Sequence, residues 1–201
     1  MAFRCYIYRL KKRGKSGMQN NSYIFTSERL GFRQWQDSDV PRFVAMNQDE
    51  RVMKFFPNLL PENETREMVE RMKALIDQRG YSWFAVDELS SGHFIGFIGL
   101  NHPRFESFFT PCLEIGWRLH PDFWHKGYAT EGGSACLDFA FNTLKVEKVY
   151  AFTADTNQPS EQVMVRLGMT KVGEFLHPLL PNHPLSNHVL YVTSGRVVTN
   201  S

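Results

Sequence analysis

The sequence predicts a mixed α/β (α+β) fold built around one sheet, and three stretches carry that prediction. In 113–133, LEIGWRLHPDFWHKGYATEGG, Leu113, Ile115, Trp117 and Leu119 alternate with Glu114, Gly116, Arg118 and His120, the period of a half-buried strand. Pro121 stops it, and Ala129, Gly132, Cys136, Phe139, Ala140, Thr143 and Leu144 then share one helical face. Stretch 62–79 reads as a second helix: Met68, Val69, Met72, Leu75 and Ile76 share a face, acids crowd its start, bases its end, and Gly80 stops it. The runs 81–87 and 93–100, joined by the polar Glu88-Leu89-Ser90-Ser91-Gly92, read as a hairpin.

The other elements follow in chain order. Residues 24–35 read as a first strand, after which Asp37, Ser38 and Asp39 supply cap and first-turn acids for a helix through Phe43 and Met46. Val52 to Phe56 is a short apolar piece closed by Pro57. The connection 101–111 carries Phe105, Phe108 and Phe109, either a contact for a ligand or partner or a loop folded back on the core. A strand at 148–153 precedes a helix at 159–167, with Pro159 near its first position and Gly168 past its end. Strands at 169–175 and 188–198 finish the sheet. Between them lie His177, His183 and His188, whose spacing in a proline-rich loop matches no metal-ligand pattern; no metal is expected.

A chain of 201 residues, 42% hydrophobic and 14% aromatic, suits one domain with a real core. Cys5, Cys112 and Cys136 lie far apart, so neither a disulfide framework nor a zinc site is indicated, and a reducing cytoplasm is expected. No apolar run approaches the roughly 18 residues of a membrane span, so no membrane partner is expected. The net charge is +2, yet the first 17 residues hold six bases and no acid, which leaves −4 for the rest. Residues 1–22 are therefore expected to be a basic, disordered extension, or one that precedes a start at Met18, ahead of a single domain at 23–201; such a tail is also able to touch RNA or a ribosome.

The unit at 113–133 is strand, basic Gly-containing turn, helix. Such a turn aims several unpaired N–H groups and the positive end of a helix dipole at one spot, a ready anion site. Its residues resemble the GCN5-related N-acetyltransferases (GNAT), and among them the RimJ/RimL-like ribosomal-protein branch. The family's acyl-CoA signature, Arg or Gln, two residues, Gly, one residue, Gly or Ala, reads here Trp124-His125-Lys126-Gly127-Tyr128-Ala129, with Trp124 at the polar first position. SERLGFRQW, EIGWRLHP, GYATEG and Asn157-Gln158-Pro159-Ser160 before RLGM extend the likeness from about Phe25 to about Val192.

The resemblance implies the GNAT fold: a mixed, mostly antiparallel sheet of six to seven strands, about four flanking helices and a splayed central pair. It implies acetyl-CoA as co-substrate and an amine acceptor. His125, Lys126, Gly127, Tyr128, Ala129 and Thr130 would hold the pyrophosphate, with Trp117, Arg118 and Leu119 of the strand along the pantetheine and a backbone N–H near Trp117 or Arg118 as oxyanion donor. Asn157 and Ser160 would contact the arm and sulfur, with Ser160 or water as the acid in the absence of a tyrosine in that helix. Glu114 would act as base and touch substrate, or else pair with Arg118 on the same polar face, and Phe55, Phe56 and Met68 would line the acceptor pocket, or else pack in the core. The Gly132-Gly133 pair would allow close approach to sheet or cofactor, and a helix otherwise loses roughly 1 kcal/mol to each glycine.

Function is thus expected to be direct, acetyl-CoA-dependent transfer to a primary amine, of a protein N-terminus or of a small molecule. An α-amine of pKa about 7.8 is neutral more often than a lysine of about 10.4, a difference worth roughly 3.5 kcal/mol, and asks less of one carboxylate. The competing readings are a catalytically silent acyl-CoA sensor and a ribosome- or RNA-associated protein that uses the tail. Exposed strand edges near the C-terminus make a homodimer a further expectation.

Overall fold

These patterns fold into one eight-stranded sheet in the computed structural model, which describes residues 23–195. The basic extension, and the last residues of the strand predicted at 188–198, lie outside the described residues. The predicted first strand divides into β1 (Phe25–Thr26) and β2 (Leu30–Arg33), because the chain reverses at Ser27, whose N–H donates to Leu30 O and whose Oγ accepts from Leu30 N–H. Next come α1 (Val40–Asn47), a one-turn α2 (Glu50–Met53) where the sequence showed only a short apolar piece, and α3 (Glu62–Arg79). The Asp49 side chain caps α2 by accepting the Arg51 N–H, and Gly80, at φ +82°, closes α3. The hairpin is β3 (Trp83–Glu88) and β4 (His93–Asn101), followed by β5 (Glu114–Leu119), α4 (Tyr128–Asp138), β6 (Lys148–Ala154), α5 (Gln158–Arg166), β7 (Thr170–Leu176) and β8 (Asn187–Ser194). Among the described residues, eight strands and five α-helices exceed the expected six to seven and about four, since β1 and α2 are short pieces that the sequence pattern does not separate.

Strand order is β1-β2-β3-β4-β5-β6-β8-β7, antiparallel throughout except between β5 and β6. Helices cover both faces. A Cβ on Gly132 of α4 would lie 2.3 Å from Ile98 Cδ1, so α4 rests directly on β4. The neighbouring Phe97 points to the other face, where its ring meets Phe43 of α1 at 6.0 Å. On that side α3 buries Thr65, Val69, Met72 and Ile76. The bare Gly132 thus serves close approach to the sheet, and Gly133, whose Cβ would meet Leu167 at 2.8 Å, serves the end of α5.

The strand pair that the fold leaves open is β5 and β6. β5 runs in register with β4 from Glu114 to Leu119, but with β6 only at Glu114↔Tyr150, where Tyr150 N–H donates to Leu113 O at 2.9 Å. Beyond that point the two parallel strands separate. The aromatic loop after β4 folds back beside them: Phe109 and Phe105 pack against Phe152 and Phe175, while Phe108 stays 74% exposed.

Candidate active site

The turn after β5 is shaped by its backbone. His125 (φ +59°) and Gly127 (φ +80°) both adopt the left-handed conformation, which costs an L-residue roughly 1–2 kcal/mol and a glycine little. Among the described residues, no protein group accepts a hydrogen bond from the amides of residues 125–130; the first such bond in the helix is Glu131 N–H to Gly127 O, at 3.0 Å. Six amides are thus left without a protein acceptor at the positive end of α4. Trp124, which replaces the signature's polar residue, donates its indole N–H to Leu119 O at 2.8 Å and so ties the turn to the end of β5.

Cations around the turn are distributed differently from the sequence reading. The Lys126 ammonium lies over the Phe123 ring at 4.8 Å, and Lys126 does not line the cleft. Arg166, at the end of α5, does line it, beside His125, Gly127 and Thr130. Arg29 stacks on the Tyr128 ring at 4.5 Å and pairs with Glu131 at 2.6 Å, while the Tyr128 hydroxyl donates to Glu88. Sequence reasoning missed Arg166 and Arg29 because only folding carries them to the turn.

From the turn a cavity of about 1280 Å³ runs along the open edge of β5 and under α2 and α3. His120 N–H donates to Ile95 O, so in the antiparallel ladder Arg118 also pairs with β4, while Trp117 and Leu119 turn their N–H groups toward the gap beside β6. Of the two backbone donors considered for an oxyanion, Trp117 thus faces the gap and Arg118 does not.

On the face below α1–α3, Glu114, Gly116 and Arg118 line the cavity in sequence, with Phe55, Phe56 and Met68 opposite. Burial pushes the Glu114 carboxyl up to about 7. Glu114 does not pair with Arg118. Instead Arg118, 93% buried, donates from Nη1 to Asn47 Oδ1 at 2.6 Å, Asn47 donates to Thr65 Oγ1, and the guanidinium lies 4.0 Å from the Phe56 ring centroid. Burial lowers the Arg118 pKa to about 9.

Across the gap, the Asn157 side chain caps α5: Oδ1 accepts Ser160 N–H and Nδ2 donates to Thr153 Oγ1 at 2.8 Å. One Nδ2 hydrogen and one Oδ1 lone pair remain. Ser160 Oγ accepts the Trp117 indole N–H at 3.1 Å, which leaves its hydroxyl proton free to be donated. Every cofactor- and substrate-site residue expected from the sequence lines this one cavity except Lys126. Among the described residues no three His, Cys, Asp or Glu side chains are grouped to hold a metal; the His177 and His188 rings contact each other at 4.8 Å beside Phe175.

A family profile described as "Acetyltransferase (GNAT) domain" matches residues 29–170. The chain is 26% identical over 151 residues to the uncharacterized N-acetyltransferase YnaD of Bacillus subtilis, covering 75% of this chain and 84% of that one. It superposes on a GNAT-family acetyltransferase from Bacillus anthracis with a TM-score of 0.70, at 26% identity, over 84% of this chain and 96% of that one. More distant in sequence, at 18% identity each, are the ribosomal-protein-S5-alanine acetyltransferase of Vibrio fischeri (TM-score 0.68, 86% and 97% covered) and a spermidine N-acetyltransferase of Vibrio cholerae in complex with CoA and spermine (TM-score 0.66, 83% and 95% covered). With its signature turn, its open strand pair and a profile match across most of its length, this chain belongs to the GNAT acetyltransferase family and is an N-acetyltransferase.

Proposed function

We propose that the protein transfers an acetyl group from acetyl-CoA directly to a primary amine held between Glu114 and the α2–α3 wall. The observation that carries this reading is the row of unpaired amides at 125–130, set where β5 parts from β6: a diphosphate at the turn would send its pantetheine arm into that gap. Arg166 would supply the charge first assigned to Lys126.

Glu114 takes a proton from the incoming amine, through water where the gap requires it, since a carboxyl of pKa about 7 is part base at neutral pH and a good match to that task. The amine nitrogen bonds to the thioester carbon, the Trp117 N–H meets the developing oxyanion, and the C–S bond breaks as Ser160 or water returns a proton to sulfur. No enzyme thioester is needed. Burial pushes the Cys112 thiol up to about 12 and raises that of Cys136 too, so neither offers a thiolate nucleophile.

The two distant neighbours named for their acceptors are a ribosomal-protein-S5-alanine acetyltransferase and a spermidine N-acetyltransferase, so this fold accommodates both a protein acceptor and a small amine. An α-amine, the acceptor of the RimJ/RimL-like branch, asks least of a single carboxylate. The test is to mix purified protein and acetyl-CoA with N-terminal peptides and small amines and to follow free thiol. Turnover with at least one amine is expected, together with stabilisation of about 2.7 kcal/mol by CoA at a hundred times its Kd. Stabilisation without thiol release from any amine would favour a silent sensor instead.

A further inference from the structure

Resting on the acetyltransferase reading, we infer that the Arg118 guanidinium is an anion subsite in the acceptor groove, and that the acceptor is an amine carrying a carboxylate several bonds from its nitrogen. Arg118 is 93% buried and lines the cavity, yet no carboxylate contacts it. Its partners are one neutral amide, Asn47, and the faces of Phe56 and Phe97. Nε is enclosed with no acceptor, and Nη2 also has none among the described residues. The indole Nε1 of Trp83 is likewise buried without an acceptor, 3.3 Å from where a Cβ on Gly116 would stand. Buried charges are normally paired, so a cavity-lining guanidinium with no counter-ion, and with Nη2 lacking an acceptor among the described residues, points to an anion that arrives with a ligand.

The order of residues along β5 sets the spacing. Glu114, Gly116 and Arg118 lie on one face of β5, with Cα atoms of the outer two about 13 Å apart at the usual strand rise. Both side chains shorten that span, and between them the floor at Gly116 is formed by the edge of the Trp83 indole. An amine at Glu114 and an anion at Arg118 thus belong to one molecule with several bonds between the groups. Of the other cations that line the cavity, Arg51 pairs with Asp49 and Arg71 with Glu67, while Lys54 and Arg104 have no carboxylate partner among the described residues, against the single lining carboxylate of Glu114. A polycation would meet repulsion there. The carboxylate can come from a free ω-amino acid or from an acidic side chain behind a peptide's N-terminal amine, and both present the same pair of groups.

The test compares acceptors that differ by one charge: 4-aminobutyrate and 6-aminohexanoate against their carboxamides, and peptides with Glu against Gln at the second position. Thiol release gives kcat/KM for each. Wild-type protein is expected to favour the acid of at least one pair by about ten-fold or more, mostly through KM, and the arm that shows it identifies the source. In Arg118→Met the ratio should fall to within about two-fold of unity, with Arg118→Lys between the two, as expected when a fixed fork of donors becomes a point charge. The wild-type comparison stands even if Arg118→Met fails to fold. Amides used as well as acids in every pair, or spermidine preferred to all of them, would overturn the subsite while leaving acetyl transfer intact. Absence of both CoA binding and thiol release with every amine would overturn acetyl transfer and this proposal together.

Discussion

Glu114 places catalysis and stability in opposition within one side chain. Its carboxyl, pushed to about 7 by burial, holds its proton to higher pH in the folded chain than in the unfolded one, where it titrates near 4.3. The folded state therefore binds more protons between those values, and the burial penalty is felt as pH rises through about 4.3 to 7. Glu114→Gln is expected to raise stability above pH 7 by on the order of 1–3 kcal/mol, seen as a higher denaturant midpoint at pH 8 and no gain at pH 4. The same substitution should lower kcat at neutral pH by about 10²–10⁴-fold and remove the acid limb of the pH–rate profile near pH 7. A limb that persists in Glu114→Gln would assign the base elsewhere. The candidacy of Glu114 was legible because a lone acid stood in an alternating strand of a resembling motif. The Arg118–Asn47 bond was not, since 71 residues separate the partners and Asn47 looks like any helix-end asparagine.

At the scale of elements, glycines decide how close the layers come. Gly132 brings α4 onto β4, where an added Cβ would press on Ile98 Cδ1 at 2.3 Å and on Leu30 Cδ1 at 3.2 Å. Gly132→Ala is expected to cost about 1–3 kcal/mol, as overpacking does, offset in part by alanine's better helix propensity; thermal unfolding measures it. Gly127 acts on conformation instead, because open space surrounds its Cβ position apart from Arg29 Nη2 at 3.5 Å and only φ +80° resists a side chain. Gly127→Ala should cost about 1–2 kcal/mol and weaken CoA binding in calorimetry, since relieving the strain turns the amides. A destabilised variant that binds CoA as well as wild type would remove the turn from the site. The periodicity of α3, its stop at Gly80 and the hairpin were all readable from local rules. The division of the first strand was not, because the Ser27 turn is fixed by contacts with Leu30 and with Glu131 far along the chain.

Across the whole molecule, a buried ionic cluster fastens the sheet to the helical layer beside the site. Arg33 of β2 donates to Asp39, in the turn before α1, at 2.7 Å and 2.9 Å, and to Asp87 of β3 at 2.6 Å and 2.7 Å. Burial opposes its charge, and the hydrogen bonds it donates to the two carboxylates more than offset that, so its pKa is raised. Arg33→Met would leave two buried carboxylates without their cation, at an expected cost of about 3–5 kcal/mol. Denaturant unfolding should show the loss as a lower midpoint at unchanged m. A loss below about 1 kcal/mol at pH 7 would mean that the cluster adds little.

By itself the sequence determined the mixed fold, the helix and strand alternation, and the turn at 125–130, because period, cap and glycine are local properties of the chain. Only the tertiary structure decided which cation reaches the turn, that Asn157 is committed to capping α5, that Ser160 meets Trp117, and that Arg118 stands without a carboxylate. Those outcomes depend on how strands far apart in the chain lie side by side and on what the layers above them leave unpaired, and neither is written in the spacing of neighbouring residues.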